Sequence, residues 1–194
     1  METEEIREKK EPKRLPVWAC ILLFALGLFV CMGLYGTIGF GLLSLILGDE
    51  ARHPGLLVYT VTEASMLLSV LTPAVILLYF ERRPFSDLGL TLKGHARGLW
   101  YGLLAAILLY LIGFGLSLAL GEVEVTGFQF DPLNLLATFV FCLLVALTEE
   151  IMMRGYILGR LLHTRMNKFL ALFVSALLFA LLHIFNPNVA FLPM

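Results

Sequence analysis

Long apolar runs with few charges alternate with short charged segments along the whole chain. The runs cover residues 15–48, 55–80, 98–120, 133–156 and 169–185. A helix needs roughly 20 apolar residues to cross the hydrocarbon layer of a bilayer. The pattern therefore predicts an all-α, polytopic transmembrane helix bundle of about five spans.

The first run is longer than one crossing requires. Its 34 residues would reach about 51 Å as a single helix, against a hydrocarbon layer of ~30 Å. The helix must then tilt or break, and the glycine-rich segment Gly33–Gly41 is the expected place for a break. The run also exceeds the apolar core of a signal peptide, which predicts an uncleaved anchor. Residues 1–14, rich in both charges, are predicted to form a mobile cytoplasmic tail.

The basic residues predict which way the chain crosses the membrane. Of the 14 lysines and arginines, 13 fall in residues 1–14, 82–97 and 154–168, and the exception is Arg52. These segments lie on one side if the chain crosses five times, and basic residues are enriched on the cytoplasmic side. The N-terminus is therefore predicted to be cytoplasmic.

Composition excludes a soluble protein. The chain is 59% hydrophobic and 15% charged, whereas soluble domains carry about 25% charged residues. No basic face indicates a nucleic-acid partner, so the bilayer is the expected environment of one membrane domain, residues 15–194. Cys20, Cys31 and Cys142 lie inside apolar runs without CxxC spacing, which argues against a disulfide or zinc-thiolate site.

Three charged residues interrupt the fourth run. A charge at the centre of a spanning helix costs about 3 kcal/mol, so Glu149, Glu150 and Arg154 need partners or water. Glu150 and Arg154 are spaced i, i+4 with the acid first, the favourable order for a helical ion pair. Glu149 points about 100° away and lacks that partner. The alternative is that all three merely mark the cytoplasmic end of the span.

The next run contains a histidine, His183, with Phe179 one turn earlier on the same face. The short connection from His163 to Lys168 predicts an antiparallel helical hairpin. Glu149 and His183 are each 17 residues from its centre, or ~25 Å at about 1.5 Å per residue. They are therefore predicted to lie at one depth, and intramembrane ionisable residues are functional candidates. The alternative for His183 is a hydrogen-bonded histidine near the outer interface.

Two motifs carry a resemblance. Glu149, Glu150 and Arg154 match EExxxR, and Phe179 and His183 match FxxxH; a basic loop, RRPFSDLGL, lies upstream. The chain thus resembles the CPBP intramembrane proteases, also called the ABI or CAAX-protease group, with a family-like core at about residues 98–194. The resemblance implies an endopeptidase of a bacterial or archaeal cell membrane. Its substrate would be membrane-associated, either a prenylated CAAX protein or a bacteriocin or leader-like peptide.

The resemblance also implies roles for these residues. Glu149 would be the general base that activates water, and His183 would orient that water or stabilise the oxyanion. Glu150, Arg154 and Phe179 would support them. An unpaired carboxylate in apolar surroundings is the better base, while one paired with arginine stays ionised, which agrees with this division.

The family's third motif, HxxxN or HxxxD, has no counterpart after His183, so the resemblance implies a core truncated at its C-terminus. His163 and Asn167 have the spacing but lie in the predicted turn, where we take it as coincidence. A divalent metal such as zinc is left open. Its ligands here would be Glu149 and His183, whereas a zinc site usually has three protein ligands plus water, and HExxH is absent.

Two other functions remain open at the level of sequence. A non-catalytic membrane partner, or immunity-type protein, would bind another integral protein through the same polar cavity. A small transporter would pass protons along Glu63, Glu149 and Glu150, although no repeated broken-helix pattern is present. Glu63 itself is expected either to line a cavity or to pack beside Thr60, Thr62 and Ser65.

Overall fold

The computed structural model describes residues 15–53, 55–91 and 94–184, and within these the chain is helical with no strand. The helices are α1 (Val17–Leu47), α2 (Leu56–Phe80), α3 (Ala96–Ala119), α4 (Pro132–Glu149), α5 (Gly159–Leu162) and α6 (Lys168–His183). A π-helix, Glu150–Leu158, joins α4 to α5 without a break, and single 3₁₀ turns occupy Gly48–Arg52 and Phe85–Leu88. We call Glu150–Leu158 the π segment.

Within the described residues, four helical stretches are long and apolar enough to cross a membrane. They are Val17–Arg52, Leu56–Phe80, Ala96–Ala119 and Pro132–Leu162. α6 is apolar but shorter, with 16 residues. The predicted all-α, polytopic bundle is confirmed. The side on which the N-terminus lies stays a prediction, and the predicted tail, residues 1–14, is outside the described residues.

The helix ends show how the spans alternate. Cys20 at the start of α1, Glu81 after the end of α2 and Arg160 in α5 meet at one end of the bundle. At the other end, Leu56 of α2 and Asp131 before α4 line one groove. α2 and α4 are therefore parallel, and the chain must cross back between them, which is the crossing predicted for α3.

The predicted break in the first span is wrong, because α1 runs unbroken through Gly33–Gly41. A Cβ added at Gly39 would lie 2.5 Å from Ser65 Oγ, and one at Gly27 would lie 2.8 Å from Pro73 Cβ. These glycines let α1 and α2 approach closely, as small residues do between membrane helices. Each glycine costs a helix about 1 kcal/mol relative to alanine, but here the contact offsets that loss.

The fourth span ends later than its predicted limit at Tyr156. Its start follows the sequence closely: Asp131 accepts hydrogen bonds from the backbone N–H groups of Leu133 and Asn134, with Pro132 at the first helical position, a favoured N-cap. The helix continues to Leu162, and Arg160, two residues before that end, is buried in an ion pair with Glu81. A cation expected to face water therefore continues the helix.

Candidate functional site

Glu149 is the last residue of α4 and directly precedes the π segment. A π-helix forms i→i+5 hydrogen bonds, is rare in proteins and often occurs at functional sites. Six of the nine residues in this segment are buried, among them Met153, Gly155 and Tyr156, whereas Arg154 is exposed. The segment thus buries one wide face against the bundle and presents Arg154 on the other.

Glu149 and His183 meet across the helical hairpin. His183 Nε2 lies 3.5 Å from Glu149 Oε1, and each side chain is 39% exposed in the bundle. The predicted common depth of the carboxylate and the imidazole is therefore confirmed. The two groups remain accessible to a small molecule such as water.

The His183 ring is held in one orientation. Its Nδ1 lies 2.9 Å from the Phe179 carbonyl oxygen, and a carbonyl only accepts, so Nδ1 carries the hydrogen. In the neutral ring the lone pair is then on Nε2, which faces Glu149. The Phe179 ring packs against the imidazole with centroids 4.4 Å apart.

This arrangement sets two hydrogen-bond acceptors side by side when Glu149 is ionised and His183 is neutral. Such a pair is satisfied by one shared proton or by a water that donates to both atoms. Because Oε1 and Nε2 are 3.5 Å apart, a water can lie about 2.8 Å from each of them. The geometry therefore suits a water molecule activated by a carboxylate and oriented by an imidazole.

Glu150 and Arg154 form the predicted i, i+4 ion pair, with side chains 51% and 70% exposed. An exposed pair of this kind adds little to stability. It does separate the two carboxylates chemically, since Glu150 is neutralised by Arg154 and Glu149 instead faces His183. The sequence prediction of one paired and one available carboxylate is confirmed in this respect.

A cavity of about 170 Å³ lies between the π segment and α6. Glu149, Glu150 and Arg154 form its polar wall, and Leu172, Ser175 and Phe179 of α6 form the facing wall. A cavity of this size holds several waters. Glu63 is not among its lining residues and is half-buried on α2.

Sequence reasoning missed Ser175, which is buried and donates a hydrogen bond of 3.3 Å to the Met153 carbonyl oxygen. Ala171 and Ser175 are small and buried, which lets α6 approach the π segment closely. A signal for this was present, because Ala171, Ser175, Phe179 and His183 recur every four residues and therefore share one helix face.

The upstream basic loop packs directly on the π segment. A Cβ added at Gly155 would lie 2.6 Å from the carbonyl oxygen of Leu88, so only glycine fits at this contact. Leu88 ends the turn Phe85–Leu88 and is itself buried. The loop and the EExxxR motif, far apart in sequence, thus form one packed unit.

We expect Gly155→Ala to lower the free energy of unfolding by about 1–3 kcal/mol, as overpacking does in well-packed interiors. The neighbouring Gly159→Ala is the matched control, because a Cβ there would lie 3.6 Å from the Asp87 carbonyl oxygen, an ordinary contact. It should leave stability unchanged or raise it by up to about 1 kcal/mol through helix propensity. SDS titration in mixed micelles measures both, and equal effects would contradict the close contact at Gly155.

The predicted coincidence at His163 and Asn167 has a structural explanation. His163 directly follows α5, and its Nδ1 lies 2.6 Å from the carbonyl oxygen of Gly159, the first residue of that helix. Asn167 caps α6, with its side chain accepting a hydrogen bond of 2.8 Å from the Phe169 backbone N–H. Both residues shape the hairpin connection.

The described residues fit a metal site only in part. Oε1 of Glu149 and Nε2 of His183, 3.5 Å apart, can share a cation at about 2.1 Å from each. Across residues 15–53, 55–91 and 94–184, however, no group of three His, Cys, Asp or Glu side chains is close enough to hold a metal. These residues supply two of the three protein ligands that zinc usually takes.

Residues 131–194 match a family model described as type II CAAX prenyl endopeptidase Rce1-like. The resemblance to the CAAX proteases is confirmed. The Rce1-like segment is about a third of the chain and contains Glu149, Glu150, Arg154, Phe179 and His183. No curated protein and no solved structure gives a match.

Proposed function

We propose that this integral membrane protein is an intramembrane endopeptidase that hydrolyses a peptide bond of a prenylated CAAX substrate. The observation that carries the proposal is the approach of Glu149 Oε1 to His183 Nε2, at 3.5 Å, inside an Rce1-like helical hairpin. The family description names CAAX prenyl endopeptidases, which favours this substrate over bacteriocin or leader-like peptides. The proposed core spans about residues 98–194.

In the proposed reaction, a water hydrogen-bonds to Glu149 and His183 and attacks the carbonyl carbon of the scissile peptide. Glu149 accepts the proton that the water loses as the new C–O bond forms. The same proton passes to the leaving amine when the C–N bond breaks, so the carboxylate is regenerated. General base catalysis of this kind contributes about 10²–10⁴-fold to a rate.

His183 orients the water in this scheme. Its Nδ1 is committed to the Phe179 carbonyl and its ring packs on Phe179, so Nε2 is available on the side of Glu149. Glu150 and Arg154 keep an ion pair at the cavity wall. That pair gives the site polar surroundings without placing a second free carboxylate beside Glu149, which would repel the developing oxyanion.

The cavity suits a substrate anchored in the bilayer. Its polar wall carries Glu149, whose carboxylate also faces His183, whereas Leu172 and Phe179 on the α6 side are apolar. A lipid-modified peptide can keep its prenyl chain in hydrocarbon while its peptide bond reaches Glu149. Membrane attachment thus contributes to the selection of the substrate.

The test uses the full chain in liposomes with a farnesylated CAAX peptide. Mass spectrometry should detect the released C-terminal tripeptide, and the same peptide without the farnesyl group should be cleaved at least tenfold more slowly. A leader-like peptide of equal length is the second comparison. If the farnesylated peptide and the leader-like peptide both remain uncleaved while a membrane protein co-purifies stoichiometrically, the hypothesis of a non-catalytic membrane partner replaces that of a peptidase.

A further inference from the structure

A buried polar cluster joins three helix ends beyond the π segment. Arg160 Nη2 lies 2.5 Å from Glu81 Oε2, and their side chains are only 5% and 11% exposed. Cys20 Sγ donates to Glu81 Oε1 at 3.0 Å. The Arg160 guanidinium also lies over the Tyr156 ring, 5.0 Å from its centroid. None of these residues lines the cavity at Glu149.

Burying the charges of Glu81 and Arg160 carries a large desolvation penalty. The two closest atoms of the pair make a close ionic contact that is not aligned as a hydrogen bond. A buried ion pair is often no more stabilising than apolar residues of similar volume, and in some proteins its role is to specify one arrangement. The arrangement that Glu81 and Arg160 can specify is the rotation, about its own axis, of the helix that carries Glu149.

The π segment makes that rotation adjustable. Each turn of a π-helix holds about one residue more than the 3.6 of an α-helix. The nine residues Glu150–Leu158 therefore complete about two turns, whereas they would complete about two and a half as an α-helix. Conversion to an α-helix would rotate Glu149 by about half a turn relative to Arg160.

Contacts hold the helix on both sides of this adjustable segment. Glu81 holds Arg160 after it, and within it Ser175 binds the Met153 carbonyl while Gly155 packs on Leu88. Before it, Glu149 faces His183. With Arg160 held at Glu81, the π form brings Glu149 to His183, and the α form would turn it away.

We propose that Glu81 and Arg160 are positioning residues, whose ion pair holds the π segment in the rotation that keeps Glu149 facing His183. The positioning can be tested without any enzymatic activity, and only its catalytic consequence rests on the proposed function. If the pair is removed, the segment is free to relax towards the α form. The Glu149–His183 approach is then lost although the bundle stays folded.

The first experiment measures proximity by cross-linking. The reference chain carries Glu149→Cys and His183→Cys with Cys31→Ala and Cys142→Ala, and it keeps Cys20, which is 1% exposed. A short bifunctional thiol reagent should bridge the two new cysteines. Intact-mass spectrometry distinguishes this bridged product from a chain in which each cysteine has reacted with a separate reagent molecule. Adding Glu81→Leu with Arg160→Met should lower the bridged fraction at least tenfold.

A matched control removes the same residue types elsewhere. Arg97→Met with Glu122→Leu changes two exposed positions and should leave the bridged fraction unchanged. The thermal midpoint of the Glu81→Leu/Arg160→Met chain should stay level or rise, because both charges are removed together. If that chain does not fold, Glu81→Gln with Arg160→Met, which also removes both charges but keeps the shape of the glutamate, is used instead and should show the same loss of bridging.

The second experiment uses the native site. In liposomes, Glu81→Leu/Arg160→Met should lower kcat for the farnesylated peptide at least tenfold, with KM within twofold of the parent. Bridging that persists without the ion pair, or that is absent from the reference chain, overturns the positioning proposal. If the parent cleaves no peptide but bridging depends on the pair, the positioning stands and the proposed function fails.

Discussion

Glu149→Gln is expected to lower the turnover of a prenylated CAAX peptide by about 10²–10⁴-fold, the contribution typical of a general base. Glutamine has the size and shape of glutamate and can still bind water through its carbonyl oxygen, but it cannot accept the proton. KM and expression should therefore stay close to those of the parent. The initial rate of tripeptide release in liposomes, measured against enzyme concentration, gives the effect.

Two comparisons make this result specific. Glu122→Gln removes an exposed carboxylate outside the site and should leave turnover unchanged. His183→Ala should lose a similar factor, and because both residues act on one water, the double variant should be little worse than either single variant. Turnover retained in Glu149→Gln would rule out the proposed base. Cleavage of the peptide by the parent chain is measured first, because only a chain that cleaves separates a peptidase from a non-catalytic membrane partner.

Glu81→Gln is expected to lower the free energy of unfolding by about 3–5 kcal/mol, the usual result of removing one member of a buried ion pair. Arg160, 4% exposed, would then carry an uncompensated charge inside the bundle. SDS titration in mixed micelles, followed by tryptophan fluorescence, measures the change.

The Arg83–Asp87 ion pair provides the control for this prediction. It lies at the same end of the chain's second span and is more exposed, with side chains 18% and 27% accessible. Asp87→Asn should therefore change stability by no more than about 1 kcal/mol. Combining Glu81→Gln with Arg160→Met should recover most of the lost stability. Equal losses at Glu81 and Asp87 would contradict a special role for the buried pair.

The geometry of the proposed site was predictable because it is local. Glu150 and Arg154 are one turn apart, and Glu149 and His183 are related by a short hairpin, so helix geometry alone sets their separation. The residues that support this site were harder to find. Glu81 lies 79 positions before Arg160 in the sequence, and nothing in the periodicity of either helix indicates that they meet.

Some features of the helices likewise depend on neighbouring residues and others on distant ones. The N-cap of α4 at Asp131 follows from residues beside it, and apart from the end of the fourth span the predicted limits lie within about two residues of the helix ends. Glycine in α1 was ambiguous, because the same residue permits either a break or a close contact. The presence of Ser65 beside Gly39 decides for contact, and Ser65 belongs to another helix.

From the sequence alone came the membrane class, the order and number of apolar helices, the ion pair of Glu150 with Arg154 and the common depth of Glu149 and His183. All of these depend on hydropathy and on spacing along one chain segment. Only the tertiary structure decided that α1 is unbroken, that Arg160 is buried against Glu81 and that Glu149 is followed by a π-helix. These depend on which faces of distant helices meet, and close packing between them outweighs the local preferences of glycine, arginine and the α-helix itself.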